Sequence, residues 1–382
     1  MLRLQALRPG TFLLFCRQAS KAGKTIDSEA LVRLEEGYKE LAASDSKSLL
    51  KKHLKKELFD KLKKKTTASF NSSLLDCIQT GLSNHDSAVG IVAPEPEAYK
   101  TFAEIFDPII EDFHKGFKKT DKHPECCFGK CNDFANLDPD NKYILSTRVR
   151  CGRSVKNFPF ISCLSESAFA ELESMISGAL NTMSGSYKGS YLPLSGIEKS
   201  VQQKLIDEHF LFRDCDRFLK TSGAKRFWPA ARGIYFNEAR NFVVWVNEED
   251  HLRIISMEKG GDIGKVYERM IGGVEVLEKH LDFSRDERLG YLTFCPTNLG
   301  STIRASVHIK LPNLSDNPKE FWKLMDKYNL QRRGTRGEHT KVEGGVYDIS
   351  NKRRVGLTEY EAVKEMYDGI RALIDAENKT FK

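Results

Sequence analysis

The sequence predicts an α+β protein in two parts: a small all-helical N-terminal domain, then a larger one built on strands flanked by helices. Three observations carry this. Apolar residues recur at helical spacing through 28–75, with Leu31, Leu34, Tyr38 and Leu41 in one run and Leu49, Leu50, Leu54, Leu58 and Leu62 in another. From 143 onward short alternating apolar runs dominate, interleaved with helical ones. Between them, 118–142 is rich in Lys, Pro, Gly, Asn and Asp and reads as a linker. At 382 residues the chain is long enough for two cores.

The first 26 residues stand apart. Arg3, Arg8, Arg17, Lys21 and Lys24 precede the first acid, Asp27, and Leu2, Leu4, Leu7 and Phe12–Phe15 add apolar surface. This is the pattern of a mitochondrial transit peptide, so the expected location is mitochondrial; a basic tail retained in the cytoplasm is the alternative. Residues 27–117 form the expected helical domain, 118–142 the linker and 143–382 the second domain. Eight lysines between Lys51 and Lys65 read as a solvated helix face. A turn-rich loop is expected over 81–99, from its Gly, Asn, Asp and Pro residues.

In the second part, Tyr143–Arg150 alternates, which puts Arg148 and Arg150 on one face. Phe242–Val246 is a short apolar strand running into Asn247-Glu248-Glu249-Asp250, and Tyr291–Phe294 ends at Cys295-Pro296. In Thr302–Ile309, Arg304, Ser306 and His308 share one face, with Ile303, Val307 and Ile309 on the other. A sheet with one charged face and one core face follows. Thr358 and Glu361 form a capping box for a closing helix with Val363, Met366, Ile370 and Leu373 inward.

A net charge of +7 is modest for this length and does not argue for a nucleic-acid partner. No apolar run approaches transmembrane length. Nine cysteines without regular spacing read as free thiols. The adjacent pair Cys126-Cys127, with His123 and Cys131 nearby, is poor zinc geometry. There is no P-loop and no GxGxxG, so a bound nucleotide must be held by side chains. Arginine forks suit this, and Arg148, Arg150, Arg253, Arg304 and Arg333 are the candidates. Glu249 and Glu338 could clamp a planar guanidinium, and Cys295 could lie against it as a thiolate near bound cations. Anion grip and cation grip in one site point to phosphoryl transfer onto a basic substrate.

At this point the chain resembles the phosphagen (ATP:guanidino) kinases, and among them most of all the arginine kinases. The resemblance covers about 28–380 and rests on Ser146–Ser154, Asn247–Ile254, Cys295–Pro312 and Arg333–Thr340. It implies an antiparallel sheet in the larger domain, with ATP and Mg2+ there and L-arginine between the domains. It also implies roles. Arg148, Arg150, Arg253, Arg304 and Arg333 grip the phosphates, with Ser146, His209 and His308 also on the nucleotide. Glu249, Glu338 and Cys295 hold the guanidinium. Ser87, Val89, Gly90 and Val92 belong to the loop closing over the amino-acid end. Asp86 and Arg217 pair across the closure. No residue is expected to bind magnesium directly; Glu248 reaches it through water. The family includes monomers and homodimers.

Two positions depart from the arginine kinase pattern. Val92 and Phe113 stand where tyrosines are usual. Losing the hydroxyl contact at Val92 costs about 0.5–1.5 kcal/mol of substrate binding, so taurocyamine or another guanidino compound is the second reading. A protein-arginine kinase fits less well, because that branch lacks the helical domain. A non-catalytic nucleotide-binding relative fits less well because every matched arginine and glutamate is present.

Overall fold

A computed structural model describes residues 26–208, 210–212, 216–334 and 345–379. The transit-peptide stretch up to residue 25, His209 and Glu338 lie outside the described residues.

Six helices make the N-terminal part: α1 Ser28–Ala43, α2 Leu49–His53, α3 Lys56–Leu62, α4 Leu74–Ser83, α5 Ala98–Thr101 and α6 Ala103–Phe113. The inward stripe of α1 is Leu34, Tyr38 and Leu41, as the spacing predicts. Two details differ from the sequence reading. The helical run does not continue to 75, because 63–73 turns back on itself through a Thr66–Ser73 bridge. The reason is competition from side-chain oxygens: Thr67 and Ser72 hydroxyls donate to Glu95 at 2.5 and 2.6 Å, and the Ala68 and Ser69 amides donate to Glu97. The loop expected from 81 begins only at 84, because α4, started by a Ser73/Asp76 capping box, runs on to Ser83. The lysine face is threaded with ion pairs, Lys52 to Asp112, Lys61 to Glu104 and Lys63 to Glu35.

The larger part is built on an eight-stranded antiparallel sheet. Its strands are β1 Ile144–Arg153, β2 Gly189–Pro193, β3 Gly233–Asn237, β4 Phe242–Val246, β5 Leu252–Lys259, β8 Arg304–Lys310, β9 Leu330–Arg333 and β10 Val346–Asn351. They run in the order β2-β3-β4-β5-β1-β8-β10-β9. A two-stranded hairpin, β6 Arg285–Asp286 with β7 Gly290–Tyr291, lies apart. Helices α10 Ile263–Glu278 and α13 Glu359–Lys379 pack on one face, so alternation on the central strands sends Val149, Val307 and Ile309 into a dry core. The remaining helices are α7 Glu166–Leu180, α8 Lys199–Asp207, α9 Arg217–Thr221, α11 Pro312–Asp316 and α12 Pro318–Lys327. Among the described residues no helix is long and apolar enough to cross a membrane.

The other face of the sheet divides. Trp245, Val243 and Ile255 join Leu205, Phe210, Leu211 and Phe212 in a second apolar cluster. Beyond that cluster, towards β8 and β10, the same face carries charge. The stretch 118–142 is strapped along the larger part: His123 N donates to Arg288 O, and Asp138 accepts the amides of Lys142, Tyr143 and Ile144 at 2.6–3.0 Å.

Candidate active site

Strand register assembles the charged face. Arg150 is paired with Arg304 across β1 and β8, and Arg148 with Ser306. One row along, Ser146 meets His308, His308 meets Asp348, and Asp348 meets Arg333. Arg253, on β5, is opposite Gly152 on one side and Trp245 on the other. Residues opposite each other share a face, so all five expected arginines rise from one side of the sheet.

The protein treats these arginines differently. Arg253 lies among Glu248 at 3.0 Å, Glu249 in closer contact still, and Asp250 at 3.6 Å. Arg304 donates to Asp348 at 2.8 Å. Arg148 has no such acid: its guanidinium lies over the Trp245 ring at 5.1 Å, and its Nε and Nη2 find no hydrogen-bond partner among the described residues. Burial, with Arg304 and Arg253 nearby, brings Arg148 down to about 10. Burial together with Arg253, Arg148, Arg304 and Arg333 holds Arg150 well below its ordinary value. Such a cradle repels itself until an anion enters it.

Beside the arginines stands the guanidinium side. Burial opposes the charge on Glu249, but Arg253 and Arg150 prevail and hold it below the usual carboxylate range. Burial, then Glu249, pushes the Cys295 thiol up to about 12, while Thr297 Oγ1 at 3.1 Å works the other way. The protein's own side chains therefore keep Cys295 protonated, and the expected thiolate needs the charge of a bound guanidinium to exist.

The 84–93 loop is held from three directions. The Leu49 and Leu50 amides take Ala88 O and Val89 O, Val92 N donates to Cys77 O, and Ala93 N donates to Phe294 O at 2.7 Å. Gly90 sits at φ +81°, and a Cβ on Gly81 would collide with its carbonyl oxygen. Ser87 N is turned back onto Asn84 O. The Val92 side chain is buried in the helical core. Phe113 packs edge-on to His114, with Lys352 Nζ 5.5 Å from its ring. Asp86 and Arg217 form an ion pair between the loop and α9. Ser146 Oγ and His308 Nδ1 are 3.2 Å apart.

Sequence reasoning missed three site residues. Asp348 orders Arg304 from a strand that carried no signal beyond one acid in an alternating run. Asn298 donates to Glu249 Oε1 at 2.8 Å. Arg354, 3% exposed, donates to Thr297 O at 2.8 Å and to Asn298 Oδ1. Asn298 was legible only as part of the Cys295–Arg304 motif, and Arg354 had no signal, being remote in sequence from what it holds. Among the described residues, no group of three or more His, Cys, Asp or Glu side chains is placed to bind a metal.

A buried arginine cradle beside a carboxylate and a thiol, under a loop from a helical domain, defines a phosphotransferase acting on a guanidino group. The chain belongs to the ATP:guanido phosphotransferases. The family's N-terminal domain model matches residues 44–111 and its C-terminal catalytic domain model matches 171–380. Arginine kinase 1 of Drosophila melanogaster is 62% identical over 92% of this chain and 99% of its own length. Arginine kinase of Schistocerca americana is 61% identical at the same coverage. Among solved structures, the duplicated taurocyamine kinase of Schistosoma mansoni, with transition-state-analogue components bound, superposes with a TM-score of 0.85 at 42% identity. The match covers 92% of this chain and 48% of that one, so this chain spans about half of the duplicated protein. Lombricine kinase superposes at 0.80, with 36% identity over 88% and 95% of the two chains.

Proposed function

We propose that this protein is an arginine kinase, transferring the γ-phosphoryl group of ATP reversibly to L-arginine to give phosphoarginine and ADP. The observation that carries the reading is the placement: Arg148, whose Nε and Nη2 find no hydrogen-bond partner among the described residues, and the buried Arg150 stand beside the ionised Glu249 and Cys295. Relatives named arginine kinases at 59–62% identity over nearly their full length point the same way.

In the forward direction a guanidinium nitrogen attacks the γ-phosphorus, the bond from that phosphorus to the bridging oxygen breaks, and ADP leaves with the electron pair. The attacking nitrogen passes its proton to one of the carboxylates beside it, Glu249 or Glu338. Arg148, Arg150, Arg253, Arg304 and Arg333 spread the transferred charge, and Glu249 with Glu338 fixes the attacking nitrogen in line. Among the described residues, four acids of the site are already opposite an arginine: Glu248, Glu249 and Asp250 face Arg253, and Asp348 faces Arg304. That donor set suits a magnesium ion that would be carried on phosphate oxygens and water, and Glu248 would hold it through water. When bound, magnesium would supply charge neutralisation at the phosphates.

The test is a coupled assay of the purified protein with L-arginine, taurocyamine, creatine and glycocyamine in parallel. Turnover with arginine supports the reading. Turnover only with another guanidine would keep the mechanism and move the specificity; the apolar, buried Val92 favours that second reading. Nucleotide binding without turnover would sink both. Delivery to mitochondria through residues 1–26 belongs to the same proposal, and loss of mitochondrial import on deleting them tests it against retention in the cytoplasm. Sedimentation of the purified protein decides between monomer and homodimer.

A further inference from the structure

His114 caps the C-terminal end of α6 and is 1% exposed. Its ring spans two segments of the larger domain's site, the 296–298 turn and the chain just after β10. Nε2 lies 3.0 Å from Pro296 O, and Nδ1 accepts the Arg354 amide at 3.3 Å. Pro296 O can only accept, so Nε2 carries the proton and Nδ1 the lone pair. The two bonds together need the neutral ring, because a protonated Nδ1 could not accept the Arg354 amide. Burial holds it neutral, with the imidazole brought down to about 3.

What the ring touches matters more than that it is buried. Pro296 follows Cys295 and opens the turn 296–298, in which Thr297 contacts the thiol and Asn298 donates to Glu249. Arg354 closes the same turn from the other side through Thr297 O and Asn298 Oδ1. The helical domain adds two more bonds just upstream: Tyr99 Oη donates to Thr293 O at 2.8 Å and Ala93 N to Phe294 O at 2.7 Å. Ala93 directly follows Val92 of the substrate loop. The helical domain therefore grips the chain on both sides of Cys295, at Thr293, Phe294 and Pro296, and His114 also reaches Arg354.

We propose that His114 is a positioning residue for the guanidinium side of the site, its ring holding the Pro296 and Arg354 backbones so that Asn298 aims Glu249 and Thr297 aims Cys295. The inference rests on the assignment of Glu249 and Cys295 to the guanidinium. It also makes the seam between the two domains part of the active site: the substrate loop and the turn it faces are set by the same helical domain.

The experiment compares His114→Phe, His114→Gln and His114→Asn with Glu249→Gln in the full-length protein, reading kcat and separate KM values for L-arginine and MgATP. The Phe variant keeps volume and loses both bonds; its arginine KM should rise about tenfold with kcat falling, and its MgATP KM should stay within about twofold. Gln, which can keep the donor to Pro296, and Asn, which can keep an acceptor for Arg354, should each recover part of the loss. A Phe variant with unaltered KM values and only a lower melting temperature would overturn the proposal. If the Phe variant does not fold, Gln and Asn decide: arginine KM values equal to the parent in both overturn it. An unchanged arginine KM in Glu249→Gln would overturn the underlying assignment instead.

Discussion

Replacing Asp348 by asparagine should destabilise the protein without nucleotide and do so much less with it. Arg304 Nη2 lies 2.8 Å from the Asp348 carboxylate, and the two side chains are 3% and 9% exposed. Burial raises the carboxyl, but Arg304, His308 and Arg333 lower it further, so it is ionised below the usual range and counters a crowd of cations. Breaking a buried pair on one side costs about 3–5 kcal/mol because the partner charge stays buried. Asparagine keeps an acceptor for Arg304, which places the cost near the lower end, about 3 kcal/mol. With an unfolding entropy of roughly 2 cal/mol/K per residue, a chain of this length loses about 4 °C in Tm. The phosphates of bound nucleotide supply negative charge to the same arginines. The rise in Tm on adding MgADP should therefore be larger in Asp348→Asn than in the parent. Differential scanning fluorimetry with and without MgADP reads both effects. Equal melting temperatures without nucleotide, or an equal ligand-induced rise, would refute the charge-compensation argument.

Three further outcomes follow from the same geometry. Arg333→Ala should lower kcat by about three orders of magnitude or more, as loss of a phosphoryl-clamping arginine does elsewhere; steady-state kinetics with saturating substrates would show it, and near-normal turnover contradicts the assignment. Acid should unfold the protein early. His251, bonded by its ring to Val155 N and Pro159 O, is brought down to about 4 by burial. Its folded value lies below its unfolded value near 6.5, so its stability contribution, about 3 kcal/mol, is present above pH 6.5 and is lost as pH falls from there towards 4. A denaturation midpoint independent of pH across that window would contradict this. Gly81→Ala should displace Gly90 and with it the substrate loop, raising the KM for the guanidino substrate more than that for ATP; matched KM values in the variant and the parent would show that the loop tolerates the shift.

The sequence made the arginines legible because strand alternation is a strict period: once 143–150 and 302–309 alternate, Arg148, Arg150 and Arg304 have only one face to share. The closing helix was equally legible, its Thr358/Glu361 box and apolar spacing reappearing as α13. What stayed hidden was everything set by distant pairing. Nothing near Arg354 indicates that its guanidinium will meet Thr297 and Asn298, 57 and 56 positions away. Nothing near His114 indicates that its ring will bridge Pro296 and Arg354. The helix expected through 63–73 failed for a related reason, since the carboxylates that capture its hydroxyls come from Glu95 and Glu97, beyond the next helix.

The division between paired and unpaired arginines explains how one site can be both rigid and ready. Arg253 is fixed by acids of the turn between β4 and β5 and Arg304 by an acid on the next strand, so they form a floor whose geometry does not wait for ligand. Arg148 finds no such acid in hydrogen-bond contact among the described residues, and it and Arg150 stand beside that floor with their charges opposed by its arginines. If every arginine were paired, phosphate would have to displace a carboxylate each time it bound, and each displacement would take energy from binding. If none were paired, the cluster would carry its full self-repulsion in the folded state and side chains would swing away. Fixing Arg253 and Arg304 while leaving Arg148 to the ligand is a compromise between those costs. It makes the acids opposite Arg253 and Arg304 structural parts of a phosphate site that they never need to touch.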